Sequence, residues 1–248
     1  MTNSNENKKS LKSFYWLWAI LTVLGVAASL YAPGYLMPKS MSQSMHLSIL
    51  TMVVFSVAAA PVAAGVYAAA LYILRNWTHK GDTVPAAGPA FRESGKVVIT
   101  WTLTSILLTV FLLIWGLGAL AADGAGSSSN PLVVKVVGQQ WVWSFEYQGA
   151  NGTTVMSHDL YLPKGRDVQF HITSLDVTHG FWLPQMGIQV DANDETITDL
   201  RVTPNKLGTF DVRCTQFCGL NHAFMVTQGH VLTPSAFTTW LNAQPARS

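Results

Sequence analysis

Charge is scarce in this chain. Of its 248 residues only 11% are Asp, Glu, Lys or Arg, and the formal net charge is +2, whereas about a quarter of the residues in soluble domains are charged. No basic block offers a surface for phosphates, so a nucleic-acid-binding role is excluded. Cysteine is scarcer still. With only Cys214 and Cys218, no disulfide framework can staple the fold. The sequence also shows no internal repeat.

Apolar sequence is what the chain has in abundance, at 49% of residues. Three runs are free of charged residues: Ser13–Pro38, Ser40–Leu74 and Val97–Ala122. A membrane span needs about 20 apolar residues, so the runs predict transmembrane helices over roughly 15–36, 46–74 and 97–121. Residues 1–122 then form a membrane anchor. Lys8, Lys9 and Lys12 precede the first span, and Arg75, Lys80, Arg92 and Lys96 lie between the second and third. Lys39 stands alone between the first and second. The positive-inside rule puts the N-terminus and the 75–96 loop in the cytoplasm and everything after 122 outside. A signal peptide competes for the first span, with small residues at Ala27-Ala28; a retained anchor is the expectation.

Beyond the Gly- and Ser-rich linker at 123–130 the pattern changes to period two. Trp141, Trp143, Phe145 and Tyr147 alternate along one predicted strand, followed by a Gly149-Ala150-Asn151-Gly152 turn. Further strands are expected at Thr154–Leu162, Asp167–Ser174, Gly187–Ala192, Thr196–Val202, Gly208–Cys214 and Val226–Leu232. A short terminal helix should start at Pro234 with Thr233 as its cap and Phe237, Trp240 and Leu241 as its apolar stripe. Such short strands predict a β-sandwich over 131–248.

The chemistry concentrates in Cys214-Thr215-Gln216-Phe217-Cys218-Gly219-Leu220-Asn221-His222-Ala223-Phe224-Met225. Sulfur with imidazole suits copper or zinc. A single-copper electron-transfer site uses one thiolate; two thiolates can bridge two copper ions with one His on each. The second His is then His179, in Asp176-Val177-Thr178-His179. Each piece has a bland reading: a disulfide for the cysteines, core packing for Met225, a hydrogen-bonded imidazole for His179. The combination is what points to metal. His46, His79, His158, His171 and His230 show no ligand spacing.

C-x3-C-x3-H-x2-M preceded by D-V-x-H resembles the binuclear CuA site of cytochrome c oxidase subunit II. The aromatic segment Gly138–Tyr147 and Thr100-Trp101-Thr102, at the start of the third span, resemble that family too. The resemblance implies a membrane-anchored α+β chain: three transmembrane helices followed by an extramembrane cupredoxin-like Greek-key β-sandwich. It implies copper held by His179, Cys214, the Gln216 carbonyl, Cys218, His222 and Met225, with electrons entering at Trp141 from cytochrome c or another small soluble donor. It implies catalytic subunit I, carrying haem and a further copper, and subunit III as partners in the plasma membrane, with oxygen reduced in the partner while protons are pumped. Asp176 and Asp191 are then candidates for attracting a basic donor. A CuA subunit of a nitric oxide reductase, a quinol-oxidase subunit without copper and a copper storage or delivery protein are the alternatives; the full ligand set argues against the second.

The sequence also departs from the family. Its members commonly have two membrane helices, so the first span is extra. Gln216 replaces a Glu that helps bind magnesium. Val98 stands where a proton-channel glutamate is common, with Glu93 out of register. Asn193-Asp194-Glu195 replaces Pro-Gly-Arg, and Gln139 replaces His.

Overall fold

The computed structural model describes residues 4–76, 94–124, 128–149 and 152–245. The chain divides into two compact units, Met1–Met37 with Leu50–Gly118, and Pro38–Ile49 with Ala119–Ser248. The Asn151–Gly152 turn, His79, Lys80, Arg92 and Glu93 fall wholly or partly outside the described residues.

The apolar runs fold as helices a little longer than expected: α1 (Ser4–Tyr31), α3 (Gln43–Asn76) and α4 (Gly95–Gly124). The four-residue α2 (Pro33–Leu36) follows α1, because Pro33 suits a helix start and cannot continue α1. Among the described residues, three segments are long and apolar enough to cross a membrane: Lys12–Leu36, Gln43–Arg75 and Gly95–Asp123. The sequence left the neighbour of the first helix open, and the structure shows it to be α3. Gly25 faces Ala60 so closely that an added Cβ would lie 3.2 Å from the Ala60 Cβ. The Trp18 indole donates to the Pro61 carbonyl at 2.8 Å. Small residues that let helix backbones approach are the usual means of packing without a hydrophobic driving force.

The second unit is a sandwich of ten strands: β1 (Leu132–Gln139), β2 (Val142–Gln148), β3 (Thr154–Ser157), β4 (Leu160–Pro163), β5 (Val168–Ser174), β6 (His179–Leu183), β7 (Ile188–Ala192), β8 (Thr198–Val202), β9 (Gly208–Cys214) and β10 (Val226–Leu232). They form two five-stranded sheets, in the orders β3-β2-β1-β5-β8 and β4-β10-β9-β6-β7. β1 runs parallel to β5 and β10 parallel to β4, which requires crossovers between the sheets. The inward faces meet in one core. Trp143, Phe145 and Tyr147 of β2 are buried, as their alternation predicted, and so are Val168, Phe170 and Ile172 of β5. Trp141 lies just before β2 and is half-buried.

Three expectations about strands are corrected. The predicted strand Thr154–Leu162 is two strands in different sheets, with the break at His158-Asp159, where Asp159 accepts from Thr227. β1 and β6 were not expected. Most of β6 is buried along its length, and so is the second half of β1. Strands covered on both faces read as apolar runs with no period to mark them.

The link between α1 and α3 packs as part of the sandwich unit. Met41 N–H donates to the Gln185 carbonyl at 2.8 Å, and Asn205 N–H to the Met41 carbonyl at 2.8 Å. The Ser42 hydroxyl donates to the Met186 carbonyl and accepts from Met45 N–H. The terminal helix α5 (Pro234–Ala243) forms as expected, with Ala236 N–H donating to Thr233 Oγ1 and Phe237 buried.

Candidate metal centre

The centre sits where β9 turns back into β10. The two strands pair from Arg213 opposite Val226, and Cys214 N–H donates to the Met225 carbonyl at 3.1 Å. The residues between fold into an open loop closed by a turn at His222–Phe224. This brings Cys214, Cys218, His222 and Met225 together at one end of the hairpin. His179 comes from the next strand. Phe181 pairs with Cys214, and Thr215 N–H donates to the Gly180 carbonyl at 3.0 Å. An added Cβ at Gly180 would collide with Thr215 Oγ1 and lie 2.8 Å from Gln216 N, so the approach requires glycine.

The donor atoms converge. Cys214 Sγ and Cys218 Sγ are 3.8 Å apart, and the two thiols are free. His179 Nδ1 lies 3.9 Å from Cys214 Sγ, and His222 Nδ1 lies 3.6 Å from Cys218 Sγ. Met225 Sδ is 3.9 Å from Cys218 Sγ, and the Cys214 thiol donates to the Gln216 carbonyl at 3.3 Å. The potential ligand atoms of His179, Cys214 and Cys218 all lie within 4.8 Å of one another. His179 and Met225 are fully buried and Cys218 nearly so.

The spacing fits a metal. Two sulfurs each about 2.3 Å from a tetrahedral ion stand about 3.8 Å apart, and a nitrogen and a sulfur about 3.6 Å apart. Each histidine approaches a different sulfur. That arrangement puts nitrogen and sulfur donors on both sides of the thiol pair, a donor set that suits copper or zinc. Burial pushes the Cys218 thiol up to about 11, with the neighbouring Cys214 adding to the shift. Without metal the thiol is therefore protonated at neutral pH, and metal binding must release its proton.

A second layer of contacts holds the ligands. Asp176 Oδ1 lies 2.8 Å from His179 Nε2, which leaves Nδ1 for the metal. Partial burial pushes the Asp176 carboxyl up. Hydrogen bonds from Gln140 N–H, the His179 ring and Val177 N–H outweigh this and hold it below its ordinary value. Asp176 was expected as a charge for attracting a donor protein; the structure shows its carboxylate engaged with His179. Asn193, in the segment that departs from the family, accepts from Ser174 N–H, Thr173 Oγ1 and Thr178 Oγ1 and so braces the approach to His179. Gln140 and Trp141 both donate to the Cys218 carbonyl, at 2.7 and 3.3 Å. Sequence reasoning missed Gln140 and Asn193, since a backbone carbonyl as acceptor leaves no motif.

The other described histidines lie elsewhere. His158 Nδ1 is 3.2 Å from the Trp143 carbonyl, His171 Nε2 is 3.5 Å from Asp199, and His230 stacks on Tyr161.

Residues 132–229 match the family model described as cytochrome c oxidase subunit II, periplasmic domain. Over this domain the chain is similar to cytochrome c oxidase subunit II. It is similar to cytochrome c oxidase subunit 2 of Thermostichus vulcanus, at 32% identity over 182 residues, 71% of this chain and 54% of that protein. A relative from Alkalihalophilus pseudofirmus is 27% identical over 82% of this chain and 58% of its own length. One from Ctenocephalides felis is 26% identical over 61% of this chain and 74% of its own length. The chain thus spans a little over half the length of the two bacterial subunit II relatives. The crystal structure of the periplasmic domain of cytochrome oxidase subunit II from Bradyrhizobium japonicum matches at 24% identity with a TM-score of 0.44, covering 47% of this chain and 95% of that one.

Proposed function

We propose that this chain is the electron-entry subunit of a terminal respiratory oxidase. It takes electrons singly from a soluble donor, cytochrome c by the family's example, and passes them to a haem in a catalytic haem–copper subunit. The observation that carries this reading is the pairing of His179 with Cys214 and of His222 with Cys218 around two free thiols.

His179, Cys214, the Gln216 carbonyl, Cys218, His222 and Met225 would together hold a pair of copper ions. Bound there, a copper pair supplies one-electron storage with little rearrangement. Everything else is the work of the chain. The hairpin fixes Cys214 against Met225 through one backbone bond, and Asp176 keeps the His179 ring turned to present Nδ1. Burial of His179, Cys218 and Met225 keeps water from the Cys218 and Met225 sulfurs. Trp141, half-buried and bonded to the carbonyl of a ligand, offers a short path from the surface to the centre.

Oxygen reduction, a further copper and proton pumping are assigned to the partner subunits, I and III by the family's example. Gln216 has no carboxylate, so magnesium at the subunit boundary would lack that ligand. The lysine and arginine distribution supports a cytoplasmic N-terminus and a copper domain on the outer face of the plasma membrane. The test is copper and thiol content of the full-length chain purified in detergent and loaded with copper. Two coppers per chain with no reactive thiol are expected; one copper per chain, or a Cys214–Cys218 disulfide that excludes metal, contradicts the reading.

A further inference from the structure

We infer that Gln140 is a positioning residue that ties the cysteine loop to the Asp176–His179 pair, so that both halves of the metal centre are held as one body. This inference rests on the copper reading above. Three distances carry it. The Gln140 side-chain amide donates to the Cys218 carbonyl at 2.7 Å. Its backbone N–H donates to Asp176 Oδ2 at 2.7 Å. The other oxygen of that carboxylate lies 2.8 Å from His179 Nε2.

One residue thus contacts a segment 78 positions away through its side chain and another 36 positions away through its backbone. These two segments supply ligands on opposite sides of the thiol pair. The local structure clears a path for the amide. Gly219 follows Cys218 with φ +117°, and an added Cβ there would lie 3.0 Å from Gln140 Nε2.

The consequence is electronic as well as mechanical. An N–H on the Cys218 carbonyl draws electron density from the peptide that carries a thiolate ligand. Such a donor favours the more electron-rich, reduced state of a bound metal, and contacts outside the ligand set tune metal sites in this way. A residue that only shaped the surface of the loop would leave the potential unchanged.

The test compares the copper-loaded full-length wild type with Gln140→Leu and Gln140→Glu. The leucine variant keeps the backbone bond to Asp176 and removes only the side-chain donor. The glutamate variant keeps the size and sets a carboxylate oxygen against the Cys218 carbonyl, so it reads the contact even where the leucine variant does not fold. Retention of copper against a Cu(I) chelator is expected to weaken about tenfold, the factor that one hydrogen bond of about 1.4 kcal/mol supplies. The midpoint potential is expected to fall in both variants. Wild-type retention and potential in both variants would overturn the inference and leave the copper reading standing. A wild type that does not load two coppers removes the copper reading itself, and this inference with it.

Discussion

Replacing Asp176 with asparagine tests how much of the metal site is built outside its ligands. The carboxylate takes four contacts, from Gln140 N–H at 2.7 Å, Val177 N–H at 2.7 Å, the His179 ring at 2.8 Å and the Ser174 hydroxyl at 3.3 Å. A carboxylate offers two acceptor oxygens and an amide only one. In Asp176→Asn the NH2 group must therefore face either Gln140 N–H or the pair formed by Val177 N–H and His179. Either way, donor meets donor. A lost hydrogen bond to a charged group costs about 1.5–3 kcal/mol. For a metal-bound histidine, loss of such a partner lowers metal affinity by roughly 10–100-fold, or about 1.4–2.7 kcal/mol. The two ranges overlap, because the same contact fixes the ring with or without metal. Chelator competition followed by copper absorption measures the affinity, and thermal unfolding of the metal-free chain measures the fold. The exposed Asp191 provides the control, and Asp191→Asn should change neither. The reasoning fails if Asp176→Asn holds copper like the wild type, or if Asp191→Asn loses as much.

Three other perturbations have defined outcomes. Gly180→Ala drives a methyl group into Thr215; it should destabilise by about 1–3 kcal/mol in denaturant unfolding and reduce copper loading, by separating the cysteine loop from His179. Met225→Leu conserves volume at a fully buried position, so the fold should change by less than about 1.5 kcal/mol and copper loading should remain, with the loss of the thioether read as a shift in potential. Burial pushes the Tyr147 hydroxyl well above its ordinary value of 10.0. Because the folded state holds the neutral phenol, stability from this group is complete below pH 10 and falls as pH rises beyond it, by about 1.4 kcal/mol per pH unit. Tyr147→Phe should flatten that alkaline decline in urea titrations while losing about 1–3 kcal/mol at neutral pH, since Tyr161 N–H donates to the Tyr147 hydroxyl.

Much of this architecture was legible because it is periodic or composed of rare residues. Charge-free runs marked the helices, alternation marked β2 and β5, and sulfur with imidazole on one loop marked the centre. What escaped has physical reasons. β6 carries His179 but is buried along nearly its whole length, so it lacks the alternation that betrays a half-exposed strand. The division of Thr154–Leu162 between two sheets depends on pairing with distant strands, β2 for one half and β10 for the other. The seat of Ser40–Met45 on the sandwich is made mainly through backbone atoms. Asp176 showed its charge to sequence reasoning and concealed its role, because a carboxylate three residues before a histidine meets it only in this turn. Gln140 showed nothing at all, since its partner is a main-chain carbonyl.

The central claim is that Cys214 and Cys218 hold two coppers that share one electron. Electron paramagnetic resonance of the copper-loaded full-length chain addresses it most directly. The account predicts hyperfine structure from a single unpaired electron divided equally between two copper nuclei, lost when either cysteine is changed to serine. A spectrum from one isolated copper ion, unchanged in Cys218→Ser, would contradict it.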